Sequence, residues 1–383
     1  MSDYPLLMIP GPTNISSEVQ LALAKPLIGH RTVEFKLLYE SLVEKLKKLL
    51  YTKNIVIPLT SSGTGAIEAV MVSLFNRGEK IGIIRNGVFS DRAGLIAKRR
   101  GLQVKFLDYD WTRFPSKEEV YNFLEENKDI TALYIVYNET STGVAAKHIH
   151  DILAAAKEYD LLTVVDAISA VGGDYLYVDK WNIDVCIGGS QKALAAPPVI
   201  SFISLSQMAI DKMNKVNIES FYFDLKEYLS WYYEKRETPS TPAIPLFYAL
   251  NEALDKILNE GVENRVLRHI RASNAFYNSI EICGLELFAN KDYRSNTVIS
   301  IKLPHALRAT DIVNEVYMRY NILIAPGMGK MRDYLLRIGC MGEISLQMII
   351  KTITAICNVM ISKGVKVDIY KAVETALEVF NRR

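Results

Sequence analysis

Short apolar runs, rich in β-branched residues, alternate with helical patterns between about residues 55 and 205. The runs are IVIPL (55–59), IGIIR (81–85), LQVKFLDY (102–109), TALYIVY (131–137), LLTVVD (161–166), DVCIGG (184–189) and VISFISL (199–205). Continuous apolar strands separated by amphipathic helices are typical of a mostly parallel sheet that is covered on both faces. The pattern therefore predicts an α/β fold around a mostly parallel seven-stranded sheet flanked by helices.

The clearest repeating unit is the stretch from TALYIVY to LLTVVD. A helix is predicted between these two strands, from about Ala145 to Tyr159, because its apolar residues recur at helical spacing. The residues on that face are Ile149, Ile152, Leu153 and Ala156. We expect a βαβ crossover here.

The pattern changes at the segment EKRETPSTPAIP (234–245), whose three prolines are spaced three residues apart. This spacing predicts an extended, exposed segment. A long helical pattern starts at about Ile244, and short strands and helices follow to the end of the chain. The predicted organisation is an N-terminal arm (1–16), a large domain (17–260) and a smaller α+β C-terminal domain (261–383).

Charge and cysteine content narrow the function classes. The chain has 45 Lys and Arg against 43 Asp and Glu, so no basic excess indicates a nucleic-acid or anionic-membrane partner. No signal peptide or membrane span is predicted. The cysteines are far apart and form no CxxC pair, which argues against a metal site and a disulfide framework; they are Cys186, Cys283, Cys340 and Cys357. We expect a cytoplasmic protein in which Cys186, Cys283 and Cys357, which lie in apolar stretches, are buried free thiols.

Three features follow strand ends, where α/β sheets bind ligands. Ser62, Gly63 and Thr64 precede a helix, whose first amides suit a phosphate, although a plain N-cap is the simpler interpretation. Asp166 ends an apolar strand, either as a helix or turn cap or as the partner of a buried cation. Lys192 follows the next strand; alone it would be a surface residue, whereas apolar walls would make it a nucleophilic amine.

Together these features match the fixed points of a pyridoxal 5′-phosphate site: a phosphate anchor, a partner for the pyridinium nitrogen and a Schiff-base amine. The combination is more informative than any one of its members.

Eight stretches extend this match from residue 10 to residue 339. They are PGPTN (10–14), SGTGAIEA (62–69), NGVF (86–89), ETSTG (139–143), VDAIS (165–169), GSQKAL (189–194), ETPSTP (237–242) and LRIG (336–339). In this order they resemble a class V, fold type I aminotransferase of the alanine:glyoxylate (serine:pyruvate) branch. The ETSTG and GSQKAL stretches are the most specific.

The resemblance implies that Lys192 forms the Schiff base and that Asp166 binds the pyridine nitrogen. It assigns the phosphate to Ser62, Gly63 and Thr64, where Thr64 replaces the His of many relatives. It also implies cofactor contacts from Phe89, which stacks on the ring unless it is a core residue, and from Ile168, Thr140 and Gln191.

Substrate and subunit contacts also come from the resemblance. It implies that Arg337 binds the substrate α-carboxylate, with a structural ion pair as the alternative. It also implies that the backbone at Gly11 lies opposite that carboxylate. Thr241, and with less support Thr238, would reach the phosphate of a neighbouring subunit in a homodimer. Thr238 departs from the Tyr of some relatives. His30 and Arg31 lie near the entrance in some relatives, and no direct role is assigned to them.

The function implied is a ping-pong transamination in which a small amino acid, alanine or serine, donates its amino group to a small 2-oxo acid, glyoxylate or pyruvate. No second cation for a dicarboxylic substrate is evident in the sequence. Within the family, a phosphoserine aminotransferase or a cysteine desulfurase-like enzyme is the alternative, but a desulfurase would have His where Gln191 precedes Lys192. A nicotinamide-dependent oxidoreductase would explain the sheet but lacks its glycine fingerprint.

Overall fold

The computed structural model describes residues 4–382. Residues 1–3 of the predicted arm and residue 383 of the predicted C-terminal domain lie outside the described residues. The strands are β1 (Leu6–Leu7), β2 (Ile55–Leu59), β3 (Lys80–Arg85), β4 (Gln103–Asp108), β5 (Ala132–Val136), β6 (Asn138–Glu139), β7 (Val144–Ala145), β8 (Leu162–Asp166), β9 (Val185–Gly189), β10 (Ser201–Leu205), β11 (Glu286–Leu287), β12 (Val298–Lys302), β13 (Ile322–Leu323), β14 (Ala325–Pro326) and β15 (Leu335–Gly339).

The helices separate these strands as the apolar patterns require. They are α1 (Ser17–Leu23), α2 (Val33–Leu50), α3 (Gly63–Leu74), α4 (Val88–Arg100), α5 (Lys117–Glu126), α6 (Ile149–Glu158), α7 (Gln207–Met213), α8 (Leu225–Lys235), α9 (Ile244–Glu260), α10 (Val262–Ile282), α11 (Ala309–Tyr320), α12 (Leu346–Ser362) and α13 (Ile369–Asn381), with short 3-10 turns at Lys291–Tyr293 and Gly329–Met331. Within residues 4–382, no helix has the length and apolar character needed to cross a membrane.

The large sheet has the strand order β2-β10-β9-β8-β5-β3-β4. Strands β9, β8, β5, β3 and β4 pair in parallel, whereas β10 is antiparallel to both β2 and β9. This confirms the predicted mostly parallel seven-stranded sheet. Every residue of β5, β8 and β9 is buried, because helices cover both faces of a parallel sheet.

The predicted βαβ unit is present, but its helix starts later than expected. Helix α6 begins at Ile149, and the expected first residue, Ala145, instead lies in β7, which pairs antiparallel with β6. Gly143 turns the chain between these two strands with a φ of +72°. The local pairing of β6 with β7 therefore overrides the helical pattern at Ala145.

A four-stranded sheet of order β11-β12-β15-β14 forms a second hydrophobic core with α11, α12 and α13. Strand β1 pairs in parallel with β13, so the described part of the N-terminal arm is attached to this second unit. Helix α10 spans both cores, because Val262 packs against the first and Phe276 lies in the second. The proposed domain boundary near residue 260 falls where α9 gives way to α10.

The proline-spaced segment is less exposed than expected. Glu237 and Thr238 are buried, although Thr241 is exposed. Burial follows from charge pairing, because Arg31 and Lys36 form ion pairs with the Glu237 carboxylate at 2.9 and 3.3 Å. Each of the cysteines is a buried free thiol, which confirms the prediction for Cys186, Cys283 and Cys357 and extends it to Cys340.

Candidate active site

Most of the predicted site residues line one cavity of about 580 Å³, counting its open mouth. It lies where β5 and β8 end, beside the starts of α3 and α4 and the loop after β9. The predicted residues in its wall are Ser62, Gly63, Thr64, Phe89, Thr140, Asp166, Ile168, Gln191 and Lys192. Parallel strands bring their carboxyl ends to one edge of the sheet, so residues far apart in sequence converge here.

Asp166 is buried at the end of β8. Its carboxylate accepts hydrogen bonds from the Ile168 amide at 3.0 Å and the Tyr134 hydroxyl at 3.2 Å. Burial raises the pKa of Asp166 to about 6, while these two hydrogen bonds oppose the rise. A positively charged N–H group placed beside this carboxylate would be stabilised by it.

Lys192 lies in the loop between β9 and β10, and its ammonium donates a hydrogen bond to the carbonyl of Pro10. Burial lowers the pKa of Lys192 to about 8, with further lowering by the positive charges of Arg337 and Arg92. Gly11 packs directly on this side chain: a Cβ there would lie 2.7 Å from Lys192 Cδ. The N-terminal arm therefore forms the cavity wall beside the Lys192 amine. The resemblance had placed the Gly11 backbone opposite the substrate carboxylate and implied no contact with Lys192.

The start of α3 forms one end of the cavity. Ser62 is the N-cap, as the simpler interpretation held, and its hydroxyl accepts the Gly65 amide at 3.4 Å. The first amides of a helix have no intrahelical acceptor and carry the positive end of its dipole. A Cβ at Gly63 would overlap the Ile168 side chain, so the backbone approaches the opposite wall closely. This end of the cavity suits an anion.

Phe89 is placed by a residue that the sequence analysis left without a role. Glu139 is buried, and its carboxylate accepts the backbone amides of Phe89 at 3.2 Å and Ser90 at 3.0 Å. It therefore caps the start of α4, 50 residues away in sequence. A Cβ at Gly87 would overlap this carboxylate, which explains the glycine. The ETSTG stretch in the sequence contains this glutamate, but the sequence alone does not show which helix Glu139 caps.

A polar network forms the floor of the cavity. Thr140 donates its hydroxyl to Ser169 at 2.9 Å, and Asn138 donates to the same Ser169 oxygen at 2.8 Å. The side-chain oxygen of Gln191 is buried without a hydrogen-bond partner within residues 4–382. Buried polar atoms are rarely left unpaired, so Gln191 is available to a ligand in the cavity.

Arg337 lies on β15 and donates to the carbonyl of Thr140 and to that of Pro326, both at 2.9 Å. Burial lowers the pKa of Arg337 to about 10, and the negative charge of Glu139 opposes that change. No carboxylate forms an ion pair with it among the residues that the structure describes. The alternative role of Arg337 in a structural ion pair therefore finds no partner within residues 4–382.

The remaining predicted residues lie outside the cavity wall. The Thr238 hydroxyl donates to the Ser240 carbonyl at 2.8 Å, and the Thr241 hydroxyl lies 3.5 Å from His30 Nε2. Arg31 donates to the Thr238 carbonyl at 2.6 Å. These residues form a group of their own beside the start of α2.

The structure adds one cation that the sequence analysis did not find. Arg92, one turn after Phe89 on α4, lines the cavity, and its guanidinium lies 4.8 Å from the centre of the Phe89 ring. Because α4 begins at a strand end, its first turns face the site. No motif singled out this position.

A buried amine of lowered pKa, a strand-end carboxylate and a helix-start anion site converge within an α/β sheet, the arrangement that the resemblance to class V aminotransferases implied. The sequence profile described as "Aminotransferase class-V" matches residues 18–331. The chain belongs to this family and is a transaminase. The oxidoreductase alternative is therefore wrong.

Proteins with aminotransferase names are similar to this chain over nearly its full length. An uncharacterized aminotransferase of Methanocaldococcus jannaschii is 40% identical over 98% of this chain and 97% of its own. The L-aspartate–glyoxylate aminotransferase of Paracoccus denitrificans is 30% identical over 99% and 96%. The crystal structure of ureidoglycine–glyoxylate aminotransferase from Bacillus subtilis superposes with a TM-score of 0.93 at 27% identity, covering 100% of this chain and 99% of the other.

Proposed function

We propose that this enzyme is a pyridoxal 5′-phosphate-dependent transaminase that moves the amino group of a small amino acid, alanine or serine, to a small 2-oxo acid, glyoxylate or pyruvate. The observation that carries the proposal is the convergence of Lys192, Asp166 and the start of α3 on one cavity. Glyoxylate is favoured as acceptor because two relatives of different donor specificity, the Paracoccus and Bacillus enzymes, carry it in their names.

The residues present fit this cofactor. The Ser62–Thr64 helix start offers amides and hydroxyls to a phosphate, and Gln191 has a buried polar atom without a partner. Asp166 can hold a protonated ring nitrogen, and Phe89 and Ile168 provide apolar surfaces for a ring. Thr140 can hydrogen-bond the ring's oxygen substituent. Bound there, pyridoxal phosphate supplies an electron-withdrawing ring and an aldehyde carbon that exchanges amino groups.

The protein's own groups have separable tasks. Lys192, with its lowered pKa, presents an amine that is unprotonated in part near neutral pH and that moves the proton at the substrate Cα. Asp166 stabilises positive charge at the ring nitrogen. Arg337, fixed by two carbonyl acceptors, binds the substrate α-carboxylate. The Pro10–Gly11 backbone closes the cavity against Lys192 and limits access of water.

A desulfurase reaction is disfavoured by the burial of the thiol that follows Arg337 in the sequence. Cys340 follows Arg337 by three positions, but it is wholly buried, and burial raises the pKa of its thiol. A buried thiol of raised pKa is a poor nucleophile. The chain also has Gln191 directly before Lys192.

The active enzyme is proposed to be a homodimer in which Thr241 and Thr238 reach the partner's phosphate site. Supporting this, the region around α1 and α2 exposes large apolar side chains, two of which lie on either side of His30 in the sequence, and His30 is 3.5 Å from the Thr241 hydroxyl. Groups of exposed apolar side chains mark interfaces. The exposed side chains are Leu21, Leu27, Val33 and Leu37. Buried thiols outside disulfides fit a reducing compartment, which supports a cytoplasmic location.

The decisive experiment follows loss of the bound cofactor's visible absorbance as each common amino acid is added to the holoenzyme. Conversion by alanine or serine, and its absence in Lys192→Ala, would support the function; full activity in Lys192→Ala would refute it. For the dimer, inactive Lys192→Ala and Thr241→Glu chains are mixed after dissociation. One intact site forms in each mixed dimer if Thr241 acts across the interface, so activity returns only in the mixture.

A further inference from the structure

Arg92 is a charged group in the cavity that the proposed mechanism does not use. It lies in the second turn of α4 and lines the same wall as Phe89, within the cavity that also contains Lys192. Its side chain is half-buried. The guanidinium packs over the Phe89 ring at 4.8 Å from the ring centre, a cation–π contact that leaves its N–H groups free to donate hydrogen bonds.

The described residues provide no opposite charge in contact with Arg92. It forms no ion pair and no hydrogen bond with any other residue in the range 4–382. Among the described residues, the only carboxylate in the cavity wall is that of Asp166, and it forms no ion pair with Arg92. A half-buried guanidinium gains from an anionic partner, because charge-assisted hydrogen bonds to a carboxylate or phosphate are stronger than neutral ones.

Two guanidinium groups act on the reacting amine from different elements. Arg337 comes from β15 and Arg92 from α4, and the positive charge of each lowers the pKa of Lys192. Arg337 is the group proposed to bind the α-carboxylate. A substrate with one more anionic group would neutralise the second cation, whereas alanine or serine leaves it without a partner.

We propose that Arg92 is a specificity-determining residue that binds a second anionic group, a carboxylate or a phosphate, on the side chain of the amino donor. Donors such as glutamate, aspartate or O-phosphoserine would then be accepted in addition to small neutral ones. This inference rests on the proposed transaminase function, and it deepens it by naming a substrate class. Arginine suits either group, because both present two oxygens to its planar N–H pairs.

The experiment compares kcat/KM for glutamate, aspartate, O-phosphoserine, alanine and serine, with glyoxylate as acceptor. The variants are Arg92→Met, which keeps the length without the charge, and Arg92→Lys, which keeps the charge without the planar fork. Arg99→Met, an exposed position on the same helix, is the matched control. Circular dichroism and melting temperature verify that each variant folds, and titration with pyridoxal phosphate gives its cofactor dissociation constant.

We expect acidic donors to lose roughly 10- to 100-fold in kcat/KM relative to alanine in Arg92→Met, the range for a lost charge-assisted hydrogen bond. Arg92→Lys should retain an intermediate preference, and Arg99→Met should match the unmodified enzyme. The donor with the largest loss distinguishes a carboxylate from a phosphate as the group that is bound.

Three results would overturn the inference. One is an unmodified enzyme that converts alanine but no acidic donor. Another is an equal loss for all donors in Arg92→Met. The third is a weaker cofactor affinity in Arg92→Met with an unchanged ratio of glutamate to alanine, because Arg92 would then serve the cofactor phosphate. Failure of the proposed function is distinct: the unmodified holoenzyme would convert no donor at all, and the inference would fall with it.

Discussion

The carboxylate of Glu139 accepts the backbone amide of Ser90 at 3.0 Å, across 49 residues of sequence. This contact joins the ETSTG stretch to the start of α4, the helix that carries Phe89 and Arg92 into the cavity. The same stretch presents the Thr140 carbonyl to Arg337. The ETSTG stretch therefore positions both Phe89, which is proposed to stack on the cofactor ring, and Arg337, which is proposed to bind the substrate carboxylate.

Replacing Glu139 with Gln should destabilise the enzyme and make the first turn of α4, which carries Phe89, more mobile. An amide offers one oxygen instead of two, and its N–H₂ group faces amides that need an acceptor, which costs about 1–3 kcal/mol. We expect a lower melting temperature together with faster hydrogen exchange at the Phe89 and Ser90 amides. Glu119→Gln is the control, because Glu119 caps α5 from within the same helix and is more exposed. Equal protection of Phe89 and Ser90 in both variants would contradict this role.

The raised pKa of Asp166 predicts a pH-dependent stability difference in the cofactor-free enzyme. Its folded-state pKa of about 6 exceeds the ordinary value of 3.8, so the folded state favours the proton, and that stabilisation is lost as pH rises through 6. The loss is about 3 kcal/mol when complete. Asp166→Asn has no proton to release, so its stability relative to the unmodified chain should rise between pH 4 and pH 7. Denaturant unfolding at both pH values measures the difference, and a constant difference would rule out the effect.

Lys192 should react with amine reagents at lower pH than an ordinary lysine. Its pKa is lowered to about 8 from 10.5 by burial, then by Arg337 and Arg92. In the cofactor-free enzyme, half-maximal modification of Lys192 is expected near that pH, as measured by peptide mass spectrometry after brief labelling. Arg92→Met removes one of the lowering charges and should move the midpoint upward. A midpoint near that of a model lysine peptide in both forms would show that the cavity does not act on this amine.

Arg337→Lys should weaken substrate binding more than it weakens folding. Lysine keeps the charge but cannot donate to the Thr140 and Pro326 carbonyls while also forming a two-point contact with a carboxylate. We expect kcat/KM to fall roughly 10- to 100-fold, mainly through KM. Arg332→Lys, at an exposed position nearby, provides the control. An unchanged KM would remove Arg337 from substrate binding.

The exposed apolar side chains around α1 and α2 lead to a prediction about dimer formation. Leu27→Glu with Leu37→Glu places charges on side chains that are 73% and 62% exposed in the single chain. The folded chain should tolerate them, whereas an interface buried between two copies should not. Light scattering after size exclusion should report monomers for this variant and dimers for the unmodified enzyme. Monomers in both samples would refute the proposed homodimer.

Much of the fold follows from local pattern. The strand runs and the change of pattern after residue 234 follow from neighbouring residues, because burial on both faces of a sheet requires continuous apolar strands. The strand-end positions of Asp166 and Lys192 follow as well. The start of α6 was misplaced because pairing of β6 with β7 depends on a strand partner rather than on helical spacing.

What the sequence determined by itself was the sheet, the family resemblance and the residues that stand at strand ends. The tertiary structure decided which distant groups act on one another: the Pro10 carbonyl on Lys192, Glu139 on the start of α4, and Arg92 on the cavity. The physical reason is that charge and hydrogen bonding act over a few ångströms in space. Sequence separations of 49 and 182 residues carry no information on such distances until the sheet has brought those residues together.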